Sequence, residues 1–445
     1  MKNGEYLLYS ERVGRAVAKL ALPSILSTMI SMIYNLTDTY FIGLLRDTAQ
    51  LSAVSVAMPV MWLVSALAGM IGNGAPQLIS MKMGEGDAAA AEKCRSFCVF
   101  GNLLMSITIT PLALLAAAPL LGAMGAEGAV LAHARTYLNI IIMGTAISAS
   151  GVAMQSVLRS GGLTARASIC SAAGIAANII LDPIFILALD MGMSGAALAT
   201  VLGSAVAMIV GIVFVRGDIS IRNAIPRRSD IARIFKLSLA STVSSIITSV
   251  TVGVSFTMAS GFGTDIIPSV SVASKIYSLV ISLVSAIAFS LQPFIGYNYA
   301  AGNIPRLRRG INAALGAGTA ICLAGAASFL LLGDKYMALF TSEPGIIASG
   351  VDMLRYMAIS TPILALQMTC ASYLSATGQV VKTMITTLGR QVIIFIPAML
   401  ILQAAFGLPG LILSYPITDI AATMLAVILC TGDIAFLYKK QPTAA

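Results

Sequence analysis

Apolar residues run along this chain in blocks of about twenty, separated by short polar stretches that collect most of the charged side chains. Twelve blocks can be read, at about 17–42, 51–73, 97–118, 136–157, 167–189, 195–215, 237–260, 267–290, 311–333, 353–374, 384–405 and 409–437. At 1.5 Å of rise per residue, a block of this length crosses roughly 30 Å of hydrocarbon as an α-helix. The alternating ten-residue segments of a membrane β-barrel are not seen. The pattern predicts an all-α membrane protein with twelve transmembrane helices.

The polar stretches carry a second signal. With the amino terminus in the cytoplasm, 22 of the 27 Lys and Arg residues fall on the cytoplasmic side. Only Arg46, Arg135, Lys275, Lys335 and Arg355 fall outside, so both termini are expected in the cytoplasm of a multi-pass plasma-membrane protein. No lysine or arginine is read as lying deep inside a segment. The opening Met1 to Lys19 has no apolar core of the signal-peptide kind, and none is expected to be cleaved.

The basic stretch at about 216–236 divides the chain into an amino-terminal lobe, residues 1–220 with helices one to six, and a carboxy-terminal lobe, residues 221–445 with helices seven to twelve. The lobes are internal repeats. At an offset of 216 residues the matches include Val54/Val270, Ser55/Ser271, Val56/Val272, Ala57/Ala273, Leu63/Leu279, Val64/Val280, Ile71/Ile287 and Gly86/Gly302. Six helices per repeat is an even number, so the repeats run parallel, an arrangement in which transporters enclose a central cavity between two lobes.

Composition agrees with this reading and narrows it. The chain is 58% hydrophobic and 10% charged, with a mean hydropathy of +0.92. Its formal net charge of +9 is spread through the loops, where it orients the chain and gives no reason to expect a nucleic-acid partner. Cys94, Cys98, Cys170, Cys322, Cys370 and Cys430 lie in or beside apolar segments with no metal-ligand spacing, and His133 is the single histidine. A histidine- or cysteine-based metal or catalytic centre is therefore not expected.

Against this background the intramembrane acids stand out. A charge at helix-centre depth costs about 3 kcal/mol on insertion scales, so such residues mark an ion or substrate path. Asp38 lies in Tyr34-Asn35-Leu36-Thr37-Asp38, and Asn178 and Asp182 lie four residues apart, on one face of the fifth helix. Asp38 and Asp182 each precede the first exterior charge, Arg46 and Asp190, by eight residues, about 12 Å of helix. Thr200 on the sixth helix reaches a comparable level. The other repeat carries Ser255, Ile393 and Pro397 where this one has Asp38, Asn178 and Asp182. Oxygen ligands of this kind suit a hard cation such as Na+, or carboxyls that take up a proton. Asp38, Asn178, Asp182 and Thr200 are thus the expected coupling site. Tyr34, Asn35, Asp38, Asp182 and Asp419 are the expected substrate contacts. Asp419, on the last helix, reads equally well as a hydrogen-bonding partner between helices.

Taken together, several motifs resemble the multidrug and toxic compound extrusion (MATE) family, in its MepA-like or DinF-like branch. They are Tyr34-Asn35 through Asp38-Thr39-Tyr40-Phe41-Ile42-Gly43, Gln77 through Gly84-Glu85-Gly86-Asp87, Asn178 with Asp182-Pro183, Gly195-Ala196-Ala197 through Thr200, and Gln292-Pro293 through Gly296-Tyr297-Asn298-Tyr299 with Gly302. The resemblance implies an antiporter, not an enzyme. It would export cationic or amphipathic drugs in exchange for H+ or Na+, need no cofactor beyond the coupling ion, and work as a monomer in the lipid bilayer. Two alternatives stand beside it: a lipid-linked oligosaccharide flippase of the same superfamily, and an intramembrane enzyme using Asp38 and Asp182 as an acid–base dyad.

Overall fold

The computed structural model describes residues 2–43, 48–124, 126–260, 266–340 and 343–438. Within its helices, the side chains of 2–3, 35–36, 38–43, 48–49, 51, 223, 248–250, 252–253, 255–260, 266–268, 271, 436 and 438 lie outside the described set. Among the described residues there is no strand. In chain order the helices are α1 Lys2–Tyr9, α2 Val13–Gly43, α3 Thr48–Ala68, α4 Met70–Gly84, α5 Ala88–Ala123, α6 Gly128–Ser160, α7 Thr164–Pro183, α8 Gly192–Val215 and α9 Arg228–Ser260. They continue as α10 Ile266–Ser290, α11 Gln292–Ala300, α12 Ile304–Ala338, α13 Pro344–Ser360, α14 Leu364–Ala376, α15 Val380–Leu388, α16 Ile396–Phe406 and α17 Leu408–Tyr438. A π-helical turn, Ile184–Ala188, extends α7, and a longer one, Gly389–Phe395, joins α15 to α16.

Each of the twelve predicted segments falls on one of these helices or on an end-to-end pair. Ten helical stretches among the described residues are long and apolar enough to cross a bilayer. An eleventh is the pair Ser52–Ala68 and Met70–Gly84, bent by 43°. The segment at 237–260 lies in α9. The faces agree with a lipid solvent: α5 leaves Leu104, Ile107, Leu112 and Leu115 more than half exposed, a stripe that water would penalise.

The chain sorts into two compact units, Met1–Glu11 with Lys19–Ile246, and Arg12–Ala18 with Ile247–Ala445. The repeat is visible in their turns. Gly86 and Gly302 both adopt positive φ, 77° and 69°. In each case the next residue, Asp87 or Asn303, caps the following helix by accepting the amide hydrogen of Ala90 or Arg306. Gly162 with Gly378, and Gly192 with Gly407, are further positive-φ pairs at offsets of 216 and 215.

In the amino-terminal unit, three features set the helices that carry the polar residues. Pro23 inside α2 has no amide hydrogen for the Lys19 carbonyl, and the Thr164 hydroxyl of α7 donates to that carbonyl instead, at 3.2 Å. One turn on, Ser168 donates to the Pro23 carbonyl at 2.8 Å. These bonds fix α2 and α7 as parallel neighbours at that level. At the bend before α4, buried Asn102 accepts the Gly72 amide at 2.9 Å and donates to the Ala149 carbonyl at 3.0 Å. It satisfies an amide that a new helix start leaves without a partner in its own helix. Gly69 lies at the bend, while Gly72 meets Ala153 of α6 and Gly74 meets Ser238 of α9. Gly72 and Gly74 are thus points of close helix contact.

Candidate functional site

Near the predicted polar residues, α7 and α8 approach each other closely along a seam. A Cβ added at Gly174 would lie 2.8 Å from both the Ala207 Cβ and the Gly203 carbonyl oxygen. One added at Gly203 would lie 2.7 Å from the Gly174 carbonyl oxygen and 2.9 Å from the Asn178 Cβ. Glycine permits a contact that any larger residue would open. The two helices run antiparallel, so pairing Gly174 with Ala207 and Asn178 with Gly203 puts Asp182 level with Ala199 and Thr200. Asn178, Asp182 and Thr200 therefore share one seam.

The polar residues of α7 in this seam are buried. Asn178 is 3% exposed and Asp182 0%. Both ends of the Asn178 amide lack a hydrogen-bond partner among the described residues. An unpartnered buried amide costs about 1–3 kcal/mol, so it marks a place where a further group belongs. The Thr200 hydroxyl donates to the Ala196 carbonyl at 3.0 Å, which turns its lone pairs outward from its own helix. Just past Asp182, Pro183 leads into the π turn Ile184–Ala188, whose Phe185 backbone lies against Gly195 at the start of α8. Local irregularity of this kind often adjoins functional residues.

Asp38 and Asn35 belong to α2, but their side chains lie outside the described residues. The level of Asp38 can still be measured along its helix. It lies fifteen residues beyond Pro23, and Asp182 fourteen beyond Ser168, the two residues joined by the hydrogen bond described above. Both carboxyl-bearing positions are thus about 21–23 Å along their helices from one shared point.

Asp419 is placed differently. It is buried in α17, and its Oδ1 accepts Nη2 of Arg390 at 2.9 Å, an ion pair. Its Oδ2 accepts the hydroxyls of Tyr277 from α10 and Ser360 from α13, the latter at 3.2 Å. Three donors and a full positive charge offset the negative charge that would attract a cationic compound. These bonds join Asp419 to residues of three other elements. Arg390 itself corrects an expectation: it is the eleventh residue of the span Val380–Phe406, far inside a segment read as free of interior arginine. Because it lies near the edge of block 384–405, sequence reading counted it with the cytoplasmic charges. The signal that it lies inside is its need for an acid, which α17 provides in Asp419.

The six cysteines are all free and buried, as their apolar surroundings suggested.

A helical fold built of two parallel repeats, each burying polar residues, is an arrangement of membrane transporters, and comparison with known proteins says which. The MatE family model matches residues 23–184 and again 240–401, once per repeat, and the chain belongs to that family. Among its relatives, the multidrug export protein MepA of Staphylococcus aureus (strain MRSA252) is 26% identical over 434 residues, covering 96% of this chain and 95% of the relative. The MepA of Staphylococcus saprophyticus is 24% identical over 432 residues, covering 96% and 95%. A multidrug resistance MATE family transporter of the MOP superfamily, solved in an outward-facing conformation, superposes with a TM-score of 0.92 at 25% identity, covering 98% of this chain and 99% of that one. A MOP superfamily transporter from Pyrococcus furiosus, described as having a binding pocket of reversed polarity, superposes at 0.89 with 25% identity, covering 98% and 99%.

Proposed function

We propose that this protein is a secondary active antiporter that exports cationic or amphipathic compounds across the plasma membrane in exchange for H+ or Na+. Multidrug export is the activity named for its relatives over nearly the whole chain. Coupling is assigned to Asp38, Asn178, Asp182 and Thr200, with Tyr34 and Asn35 beside them as substrate contacts. The observation that carries this assignment is the buried Asn178 amide, which has no partner among the described residues and sits one turn from buried Asp182. A coupling cation takes the Asn178 carbonyl oxygen and the carboxylates; a coupling proton neutralises a carboxylate that burial makes costly. Ion and drug then act through their different affinities for two conformations. The tyrosine ring of Tyr34 offers a face to a cationic group. Asp419 is left out of the set because Arg390 already neutralises it.

The distribution of basic residues supports cytoplasmic termini. The protein is proposed to act as a monomer and without a cofactor. A flippase that handles a pyrophosphate-linked lipid would need uncompensated basic residues in its interior, and Arg390 is compensated.

The test is efflux of a fluorescent cation from proteoliposomes with sodium and pH gradients imposed separately. Asp38→Asn and Asp182→Asn are expected to abolish the response to the coupling gradient. Wild-type gradient dependence in both variants would overturn the assignment.

A further inference from the structure

The carboxy-terminal unit has its own buried polar centre, and it lies where the repeat would not place one by descent from the amino-terminal seam. At the offset of 215, Arg390 corresponds to Ile175 and Asp419 to Ser204. Those positions are three residues before Asn178 and four after Thr200, so the two centres occupy the same helix pair of the repeat, about one turn apart. In both units the fifth helix of the repeat carries a π-helical turn close to the polar residues. In the carboxy-terminal unit that turn, Gly389–Phe395, holds Arg390 itself. The irregular backbone is thus what positions the cation.

The two centres differ in one respect. In the amino-terminal unit, oxygen-bearing residues gather with no basic side chain at the corresponding position. In the carboxy-terminal unit, a carboxylate oriented by two hydroxyls, Tyr277 and Ser360, holds a positive charge that belongs to the chain. Asp419 is only 4% exposed at its side chain, so the carboxylate has little access to water, and its charge is balanced by Arg390. Among the described residues, the titratable groups that face Asp419 are Arg390, from the π turn, and Tyr277, from α10. Ser360 of α13 faces it without titrating. The next charged group on α17, Asp433, lies fourteen residues away and is engaged with Lys382 at 2.8 Å.

We propose that the Arg390 guanidinium is a resident cation, occupying in the carboxy-terminal unit a cation site built by Asp419, Tyr277 and Ser360. This site does not exchange ions in the native protein because its cation is tethered. Removing the tether opens a second site for a monovalent cation or a proton. The assignment of exchange to the amino-terminal unit alone rests on the function proposed above. The existence of the resident cation does not.

The experiment compares full-length protein purified as wild type, Arg390→Met, and Arg390→Met with Asp419→Asn, each also in an Asp182→Asn background. Melting temperature is read with sodium exchanged for choline at constant ionic strength, and separately with pH lowered from mildly alkaline to mildly acidic. Arg390→Met is expected to melt below wild type. It should regain about 2 °C or more on adding sodium or protons, a response beyond that of wild type. The double variant should lose the added response and melt above Arg390→Met, since no orphan charge remains. Because the same gain is expected with Asp182→Asn present, failure of the amino-terminal assignment would leave this result intact. An Arg390→Met protein no more sensitive to either cation than wild type, or a response that persists in the double variant, would overturn the proposal. Should Arg390→Met not be recovered from membranes, recovery of the double variant supports the proposal and loss of both overturns it. In proteoliposomes, Arg390→Met should raise the Hill coefficient for the driving ion from about 1 toward about 2, and an unchanged coefficient refutes the tethering of an exchangeable site.

Discussion

Replacing Gly203 by alanine tests whether the α7–α8 seam holds the proposed coupling site, and it does so without replacing any residue assigned to that site. The new Cβ would sit 2.7 Å from the Gly174 carbonyl oxygen and 2.9 Å from the Asn178 Cβ, against about 3.4 Å for an ordinary contact. Relief requires the helices to part by about 0.7 Å at this point, and Asn178 moves with α7. Overpacking of this kind costs about 1–3 kcal/mol, part of it in stability and part in the geometry of the site. If half of the upper figure falls on ion binding, the half-saturating concentration of the driving ion rises roughly tenfold. The assay is initial-rate efflux from proteoliposomes at varied driving-ion concentration, with protein amount and melting temperature measured in parallel. The control is Gly151→Ala, between α6 and α8, where the added Cβ would meet the Met208 amide nitrogen at 3.5 Å and needs no movement. Gly203→Ala is expected to shift ion dependence while Gly151→Ala does not. A folded Gly203→Ala protein with wild-type ion dependence would show that the seam does not set the site.

Other substitutions probe the scaffold. Asn102→Leu leaves the Gly72 amide and the Ala149 carbonyl without their side-chain partner, and should cost about 1–3 kcal/mol in detergent denaturation, with efflux per folded molecule retained. Asp87→Ala and Asn303→Ala remove equivalent helix caps and should each cost about 0.5–2 kcal/mol, similar in size because the turns are repeats; a large disparity would mean that the two turns are not energetically equivalent.

How much of this could be read from the sequence depends on the range of the interaction involved. The helical segments and the doubled architecture were legible because both are written in local patterns, block length and recurrence at fixed offsets. Asn178 and Asp182 were legible as a pair because a helix places residues four apart on one face. The seam against Gly203 was not, since only the packed structure shows which small residue of α8 meets which residue of α7. The Pro23–Thr164 exchange is not written in the local sequence for the same reason: a proline signals a freed carbonyl, but nothing local says which hydroxyl reaches it. Arg390 was misplaced because topology counting assigns a cation near a segment end to the water, and its partner lies twenty-nine residues away on another helix.

That misplacement changes how the asymmetry of the repeats is understood. By sequence, the polar cluster of Asp38, Asn178, Asp182 and Thr200 belongs to one lobe, and the other contributes the acid Asp419. In the structure, both units hold a buried carboxylate on the last two helices of their repeat, Asp182 in one and Asp419 in the other. What separates them is the basic residue at this helix pair, present beside Asp419 as Arg390 and replaced in the other repeat by Ile175. Burying a carboxylate is tolerable only with a cation, a proton or a set of donors at hand. Asp419 finds its cation within the chain, on a π turn that carries the arginine to it. At the other centre, the corresponding positions Ile175 and Ser204 offer no basic side chain. The coupling role proposed above therefore falls to the amino-terminal unit, where no arginine stands at the position of Arg390.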